Sequence, residues 1–180
     1  GRPICPDCMT PTSVGMRCPE CARERTEVHT ARSIGAGAGA TVTTALIAVC
    51  VVAFLAGGSF GIGESSTTSW LYREGALWGP YVEDGELWRL ITSGFLHSGL
   101  LHVGFNMLLL WWLGSEIEGR IGPGRFAAVY VTALLGGALG ALVQTTQSVT
   151  VGASGAVFGL MGYLLVEQRR QGISFLQSQI

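Results

Sequence analysis

The sequence predicts an all-α polytopic membrane protein: a bundle of apolar helices preceded by a small cysteine-bearing module. Three observations carry that expectation. Of 180 residues, 48% are hydrophobic and only 13% charged, against about 25% charged in soluble domains, and mean hydropathy is +0.43. The apolar residues gather into long uncharged runs, and small residues recur along them at helical spacing. Two Cys-x2-Cys pairs stand apart from these runs, in the polar first 25 residues.

Residues 1–25 hold Cys5, Cys8, Cys18 and Cys21 in the pattern C-x2-C-x9-C-x2-C. Each pair can offer two thiolates, and four thiolates meet the tetrahedral demand of Zn2+. The nine-residue spacer is long enough for a hairpin or turn to bring the pairs together. Two structural disulfides are the competing reading, and a reducing cytoplasm disfavours them. A zinc-binding cysteine module is therefore expected, with structural Zn2+ and no cofactor for chemistry. Residues 26–40, where Gly35, Gly37 and Gly39 alternate with alanine, read as a linker.

The membrane domain occupies residues 41–180, with spans expected at about 42–61, 95–114, 126–144 and 153–167. The first apolar run is short against the ~20 residues of a typical span, but its uncharged flanks lengthen it. Cys50 inside it reads as packing. Residues 63–91 mix Glu64, Arg73, Glu74, Glu83, Asp84, Glu86 and Arg89 with Trp70, Tyr72, Trp78, Tyr81 and Trp88. Such a segment suits the headgroup layer, where amphipathic rings settle.

All eleven basic residues are arginine, and their placement orients the chain. Arg23, Arg25 and Arg32 precede the first span, Arg120 and Arg125 join the second to the third, and Arg169 and Arg170 follow the fourth. The positive-inside rule puts the N-terminus in the cytoplasm and the aromatic loop outside a plasma membrane. A net charge of −1 without a basic, aromatic-interleaved patch argues against a nucleic-acid partner.

The chemistry-bearing residues lie on two of the runs. His102 and Asn106, four residues apart, share one helix face. His97, treated as part of the same helix, falls about 140° away from His102. Asn106 is the only asparagine, and its amide or the imidazole of His102 can donate to an oxyanion. Ser154 is flanked by Gly152 and Gly155 near the outer end of the fourth span, where backbone N–H groups can approach a reacting carbonyl. Gly155, Gly159 and Gly162 form a face for close helix packing. A helix packed there is where a base for Ser154 is expected, since serine needs one to become nucleophilic. The bland alternatives are a packing serine and interhelical hydrogen-bond glue.

Taken together these motifs resemble the rhomboid intramembrane serine proteases over roughly residues 80–165. The resemblance rests on Trp88-Arg89, the His97-x4-His102-x3-Asn106 pattern, Gly114-x3-Glu118-x3-Gly122, and Gly152-Ala153-Ser154-Gly155. It implies a rhomboid-like bundle with four of six core spans present, Ser154 as nucleophile, and an oxyanion hole of His102, Asn106 and the Ser154 N–H. It implies a structural role for His97, and transmembrane protein substrates in the lipid bilayer cut near the outer face. The cysteine module is similar to zinc-binding regions that precede the membrane core in some actinobacterial members.

Two departures qualify it. Phe158 stands where many bacterial members carry tyrosine. The family's base, a histidine in Ala-His-x2-Gly on a sixth span, has no counterpart among His29, His97 and His102. A chain beginning at Gly1 and ending after four spans is expected to be truncated. The alternatives are an inactive relative that binds transmembrane clients, and a small transporter or channel with His102 and Asn106 lining a polar path.

Overall fold

The computed structural model describes residues 10–12, 15–17, 40–58, 60–62 and 69–170. The chain divides into two units, Gly1–Gly37 and Ala38–Ile180. In the first, β1 (Thr10–Thr12) and β2 (Gly15–Arg17) pair antiparallel, with Thr10 opposite Arg17 and Thr12 opposite Gly15. The spacer between Cys8 and Cys18 thus contains a hairpin. Cys5, Cys8, Cys18 and Cys21, like the linker up to residue 39, lie outside the described residues.

The second unit is helical. Its long helices are α1 (Thr41–Gly57), α5 (Leu100–Ile121), α6 (Pro123–Gln144) and α7 (Ser154–Arg170). Short helices α2 (Trp70–Gly75), α3 (Gly79–Glu83) and α4 (Arg89–Thr92) fold the aromatic segment, and a 3-10 turn at Ser93–Phe95 leads out of it. Among the described residues, α5 and α6 are long and apolar enough to cross a membrane. At 22 residues each, they reach about 33 Å, against a hydrocarbon core of about 30 Å.

Burial follows helical period. On α5 the inward face is Val103, Asn106, Met107, Leu110, Leu113, Gly114, Ile117 and Glu118. Phe105, Leu108, Trp111 and Trp112 on the opposite face are exposed yet apolar. A helix apolar on all sides belongs in hydrocarbon. On α6 every fourth residue is buried, from Phe126 through Tyr130 and Leu134 to Ala138. Phe126, Tyr130 and Leu134 meet Cys50 and Phe54 of α1 and Ala156, Val157 and Leu160 of α7 in one core.

Glu118 explains how α1 joins that core. No side chain caps α1 locally at Ala40. Instead the buried Glu118 carboxylate accepts from the N–H of Val42 (2.9 Å) and of Thr43 (2.8 Å), and from the hydroxyls of Thr43 (2.8 Å) and Thr41 (3.1 Å). An anion therefore sits at the positive end of the helix and satisfies donors that no carbonyl can reach. Gly114 lies one turn earlier, where a Cβ would stand 2.7 Å from Thr43 Oγ1 and 2.9 Å from its Cγ2. Gly122, at φ 82°, stops α5, and Pro123 opens α6. The Gly-x3-Glu-x3-Gly spacing is thus a packing, capping and turning device.

The helix starts differ from expectation in one consequential place. The second span is expected from Phe95, but α5 begins at Leu100, because the chain remains in the 3-10 turn through Phe95, leaves it with Leu96 extended and bends at Ser98 and Gly99 before the helix starts. At its other end α5 continues to Ile121, since the charge of Glu118 is absorbed by α1 rather than by water.

Glu118→Ala would leave the buried Thr43 N–H and hydroxyl unpaired, at about 1–3 kcal/mol each, along with the part-buried Val42 N–H. A clear fall in the thermal unfolding midpoint in detergent is expected, with a smaller fall for Glu118→Gln. An unchanged midpoint would show that the carboxylate does not hold α1.

Candidate functional site

Ser154 is the first residue of α7, and the first backbone bond of that helix runs from the Val157 N–H to the Ala153 carbonyl at 3.0 Å. The N–H groups of Ser154, Gly155 and Ala156 therefore have no carbonyl to meet within the helix. The Ser154 hydroxyl is partly exposed and makes no hydrogen bond among the described residues. It opens onto a pocket of ≈ 220 Å³ whose wall includes Ser93, Gly94, Gly137, Gln144, Gly152 and Phe158.

Small residues set the position of α7. A Cβ on Gly137 of α6 would stand 2.6 Å from Gly155 Cα, and one on Gly159 would stand 2.3 Å from Ala133 Cβ. The close-packing face is present as expected at Gly155 and Gly159, whereas Gly162 has nothing within 4 Å. Of the helices packed there, α6 presents Gly137 and Ala133 to this face, neither of which can accept a proton.

The segment leading into Ser154 is tied at Thr146, Gln147, Thr150, Gly152 and Ala153 to the aromatic segment and the turn that follows it. Leu77 and Thr150 exchange both backbone bonds (3.0 and 2.8 Å), and the Gly79 N–H donates to Thr146 O at 3.1 Å. Trp78 Nε1 donates to Gln147 O at 3.3 Å. Gly152 N–H donates to Ser93 O at 2.9 Å, and Ala153 N–H donates to His97 Nε2 at 3.4 Å.

Arg89 holds the aromatic segment in turn. Its buried guanidinium donates to the Arg73 carbonyl (2.7 Å), the Ala76 carbonyl (2.9 Å) and Glu86 Oε2 (2.6 Å), and it lies 4.4 Å from the Tyr81 ring centroid. Trp88 Nε1 donates to the Glu74 carbonyl at 3.1 Å.

The two histidines are neighbours, contrary to the helical-wheel expectation of a wide offset. His97 precedes α5 instead of lying on it, so its fully buried ring reaches 5.1 Å from that of His102, edge to face. Tyr72 OH fixes the turn by donating to the His97 carbonyl. His102 abuts Gly152: a Cβ there would stand 2.5 Å from its Nε2 and 2.8 Å from its Cε1. On the other side of the ring, Nδ1 lies 3.1 Å from Ser98 Oγ. Asn106 is buried one turn below, and its Nδ2 donates to the His102 carbonyl at 2.8 Å.

The candidate residues are thus brought to one end of the unit, but by different walls. Ser154 lines the pocket, whereas His102 and Asn106 do not; His102 reaches the site through Gly152, and Asn106 lies beneath His102. Sequence reasoning missed Ser93, whose carbonyl anchors Gly152, and Ser98, whose hydroxyl meets His102. The Ser98-to-His102 spacing of four was the available signal for the second; nothing local signalled the first.

The sequence profile described as "Rhomboid domain" matches residues 84–179. Rhomboid protease GluP of Bacillus subtilis (strain 168) is 40% identical over 103 residues, covering 57% of this chain and 20% of that protein. RHOMBOID-like protein 5 of Arabidopsis thaliana is 46% identical over 108 residues, or 59% of this chain and 34% of that protein. Inactive RHOMBOID-like protein 8 from the same plant is 35% identical over 105 residues, 58% of this chain and 29% of that protein. The matched part of the chain therefore spans between 20% and 34% of the length of these relatives.

Gly152 combines φ +119° with the His102 contact. Gly152→Ala is expected to lower the unfolding midpoint, since the left-handed region alone costs about 1–2 kcal/mol. Gly136→Ala, with nothing within 4 Å of the added carbon, serves as the control and should not. Equal midpoints for both variants would contradict the tight fit at Gly152.

Proposed function

The chain belongs to the rhomboid family, and on that premise we propose that it is the serine-bearing part of an intramembrane endopeptidase. Its substrates in this reading are transmembrane protein segments, cut near the outer face of the plasma membrane with the N-terminus of the chain in the cytoplasm. The single observation that carries the reading is Ser154 at the first position of α7. Its unbonded hydroxyl opens onto a pocket there, beside backbone N–H groups that have no helical partner.

The reaction follows from those groups. Ser154 Oγ attacks the scissile carbonyl, and negative charge develops on the carbonyl oxygen. The Ser154 N–H receives that charge at the positive end of α7, where a preorganised donor needs no rearrangement. His102 and the second Nδ2 hydrogen of Asn106 are the further donors. The close contact of His102 with Gly152 supports its part, and the anchoring of Asn106 to the His102 carbonyl supports a rigid pair. The proton acceptor for Ser154 is, by family resemblance, a histidine outside these 180 residues. His102 is not assigned to that task, because the oxyanion site would lose it.

The second reading is an inactive rhomboid-like protein that holds transmembrane clients without cutting them. The similarity to Inactive RHOMBOID-like protein 8 favours keeping it.

For the first unit we propose one structural Zn2+ held by Cys5, Cys8, Cys18 and Cys21. The hairpin within their spacer supports it by folding that spacer back on itself, and a four-thiolate set suits zinc on chemical grounds. The ion stabilises the unit and takes no part in the cleavage.

A fluorophosphonate or chloroisocoumarin probe should label the intact protein in membranes and fail on Ser154→Ala. Asn106→Ala should slow cleavage of a transmembrane reporter by about 10²–10³-fold, the usual scale for one lost donor. Equal labelling of wild type and Ser154→Ala would remove Ser154 as nucleophile. Absence of both labelling and cleavage would favour the inactive reading. Elemental analysis should find one zinc per chain, lost in a Cys5→Ser, Cys8→Ser double variant; a chain without zinc would argue for disulfides.

A further inference from the structure

His102 has two ring nitrogens with different neighbours, and its usefulness depends on which one carries the proton. Nε2 faces the Gly152 backbone, two residues before Ser154, and Nδ1 lies 3.1 Å from Ser98 Oγ. Ser98 is held in place for that contact. It sits in the bend just before α5, with the preceding His97 carbonyl fixed by Tyr72 OH and the following residues entering the helix. From the other side, the carbonyl of His102 is engaged by Asn106 Nδ2. Ring and hydroxyl are thus both positioned before any substrate arrives.

We propose that Ser98 is a positioning residue that sets the tautomer of His102: its hydroxyl donates to Nδ1, leaving the ring proton on Nε2 and directed at the Gly152–Ser154 backbone. The proposal deepens the endopeptidase reading and rests on it for its purpose, since only an Nε2–H can donate to an oxyanion. The opposite arrangement, Nδ1–H donating to Ser98 Oγ, would present a lone pair at Nε2. Such a ring would repel a developing negative charge and would compete for the Ser154 proton instead. One serine hydroxyl therefore separates a donor histidine from a basic one. Ser98 itself touches no reacting atom and is not a catalytic residue.

The test reads the tautomer directly. The intact protein, with 15N in its histidine rings, is reconstituted in lipid nanodiscs at a pH above imidazole titration. Its ring signals are assigned with His29→Gln and His97→Gln. Wild type should show a protonated Nε2 and an unprotonated Nδ1 for His102. Ser98→Ala should give a mixture of tautomers, and Ser98→Thr, which keeps the hydroxyl, should restore the single form. A proton on Nδ1 in wild type, or a Ser98→Ala spectrum identical to wild type, overturns the proposal.

Cleavage of a transmembrane reporter gives the second arm. Ser98→Ala should lower kcat several-fold at unchanged KM, well short of the ~10²–10³-fold loss of a whole donor, with recovery in Ser98→Thr. A fall in unfolding midpoint without recovery by Ser98→Thr would mark Ser98 as structural only and overturn the proposal as well. If wild type does not cleave at all, the endopeptidase reading falls, whereas the ring spectrum still decides what Ser98 does to His102.

Discussion

The backbone approach of Gly155 to Gly137 is the contact on which the rest of the site depends. In hydrocarbon, helices gain nothing by hiding apolar side chains from lipid, so close van der Waals packing has to hold them together. The 2.6 Å that would separate a Gly137 Cβ from Gly155 Cα leaves no room for any side chain there. With Gly159 against Ala133 one turn on, α7 has one depth and one rotation relative to α6. Ser154 immediately precedes Gly155, so its place follows. The segment from Thr145 to Ala153 then has to span a fixed gap between two fixed helix ends.

Two buried charges make the frame around that gap, and they do different work. A charge removed from water is tolerated only when its hydrogen-bonding capacity is met. Glu118 meets it with donors from another helix, so its satisfaction requires α1 to stand against α5. Arg89 meets it with carbonyls of its own segment and with Glu86. Its satisfaction requires the short helices α2 to α4 to fold on one another. The first charge joins helices, and the second stiffens a surface segment. That segment and the turn after it supply Leu77, Gly79 and Ser93 as backbone partners for the approach to Ser154.

The bundle was legible because its signals are chemical and local. Uncharged runs announce helices in lipid, and glycines four apart announce close packing. Gly114, Glu118 and Gly122 keep a spacing that makes sense once their partners are seen. The misreadings share a cause: each depended on a partner distant in the chain. His97 looked like a helical residue because its segment is apolar, yet Tyr72 and the 3-10 turn keep it off the helix. The start of α5 moved from Phe95 to Leu100 for the same reason. Ser93 acts through its carbonyl, which no residue type encodes. The hairpin between β1 and β2 was anticipated only as one way to close a spacer.

The position of the serine within its helix has a physical logic of its own. Deeper in α7 every backbone N–H would be taken by a carbonyl four residues earlier, and a serine there would find no main-chain donor beside it. Only the first turn leaves N–H groups open, and only there does the helix dipole favour an anion. In the proposed reading, where Ser154 would use its own backbone to hold the charge it creates, the serine is therefore confined to a helix N-terminus. That confinement carries a cost, because helix ends fray and the segments before them move. The answer in this chain is the row of bonds from Thr146 to Ala153, with a glycine at φ +119° where the chain must turn against His102. The ordered approach and the open helix end are two halves of one requirement. The donors must be unoccupied, and they must not wander.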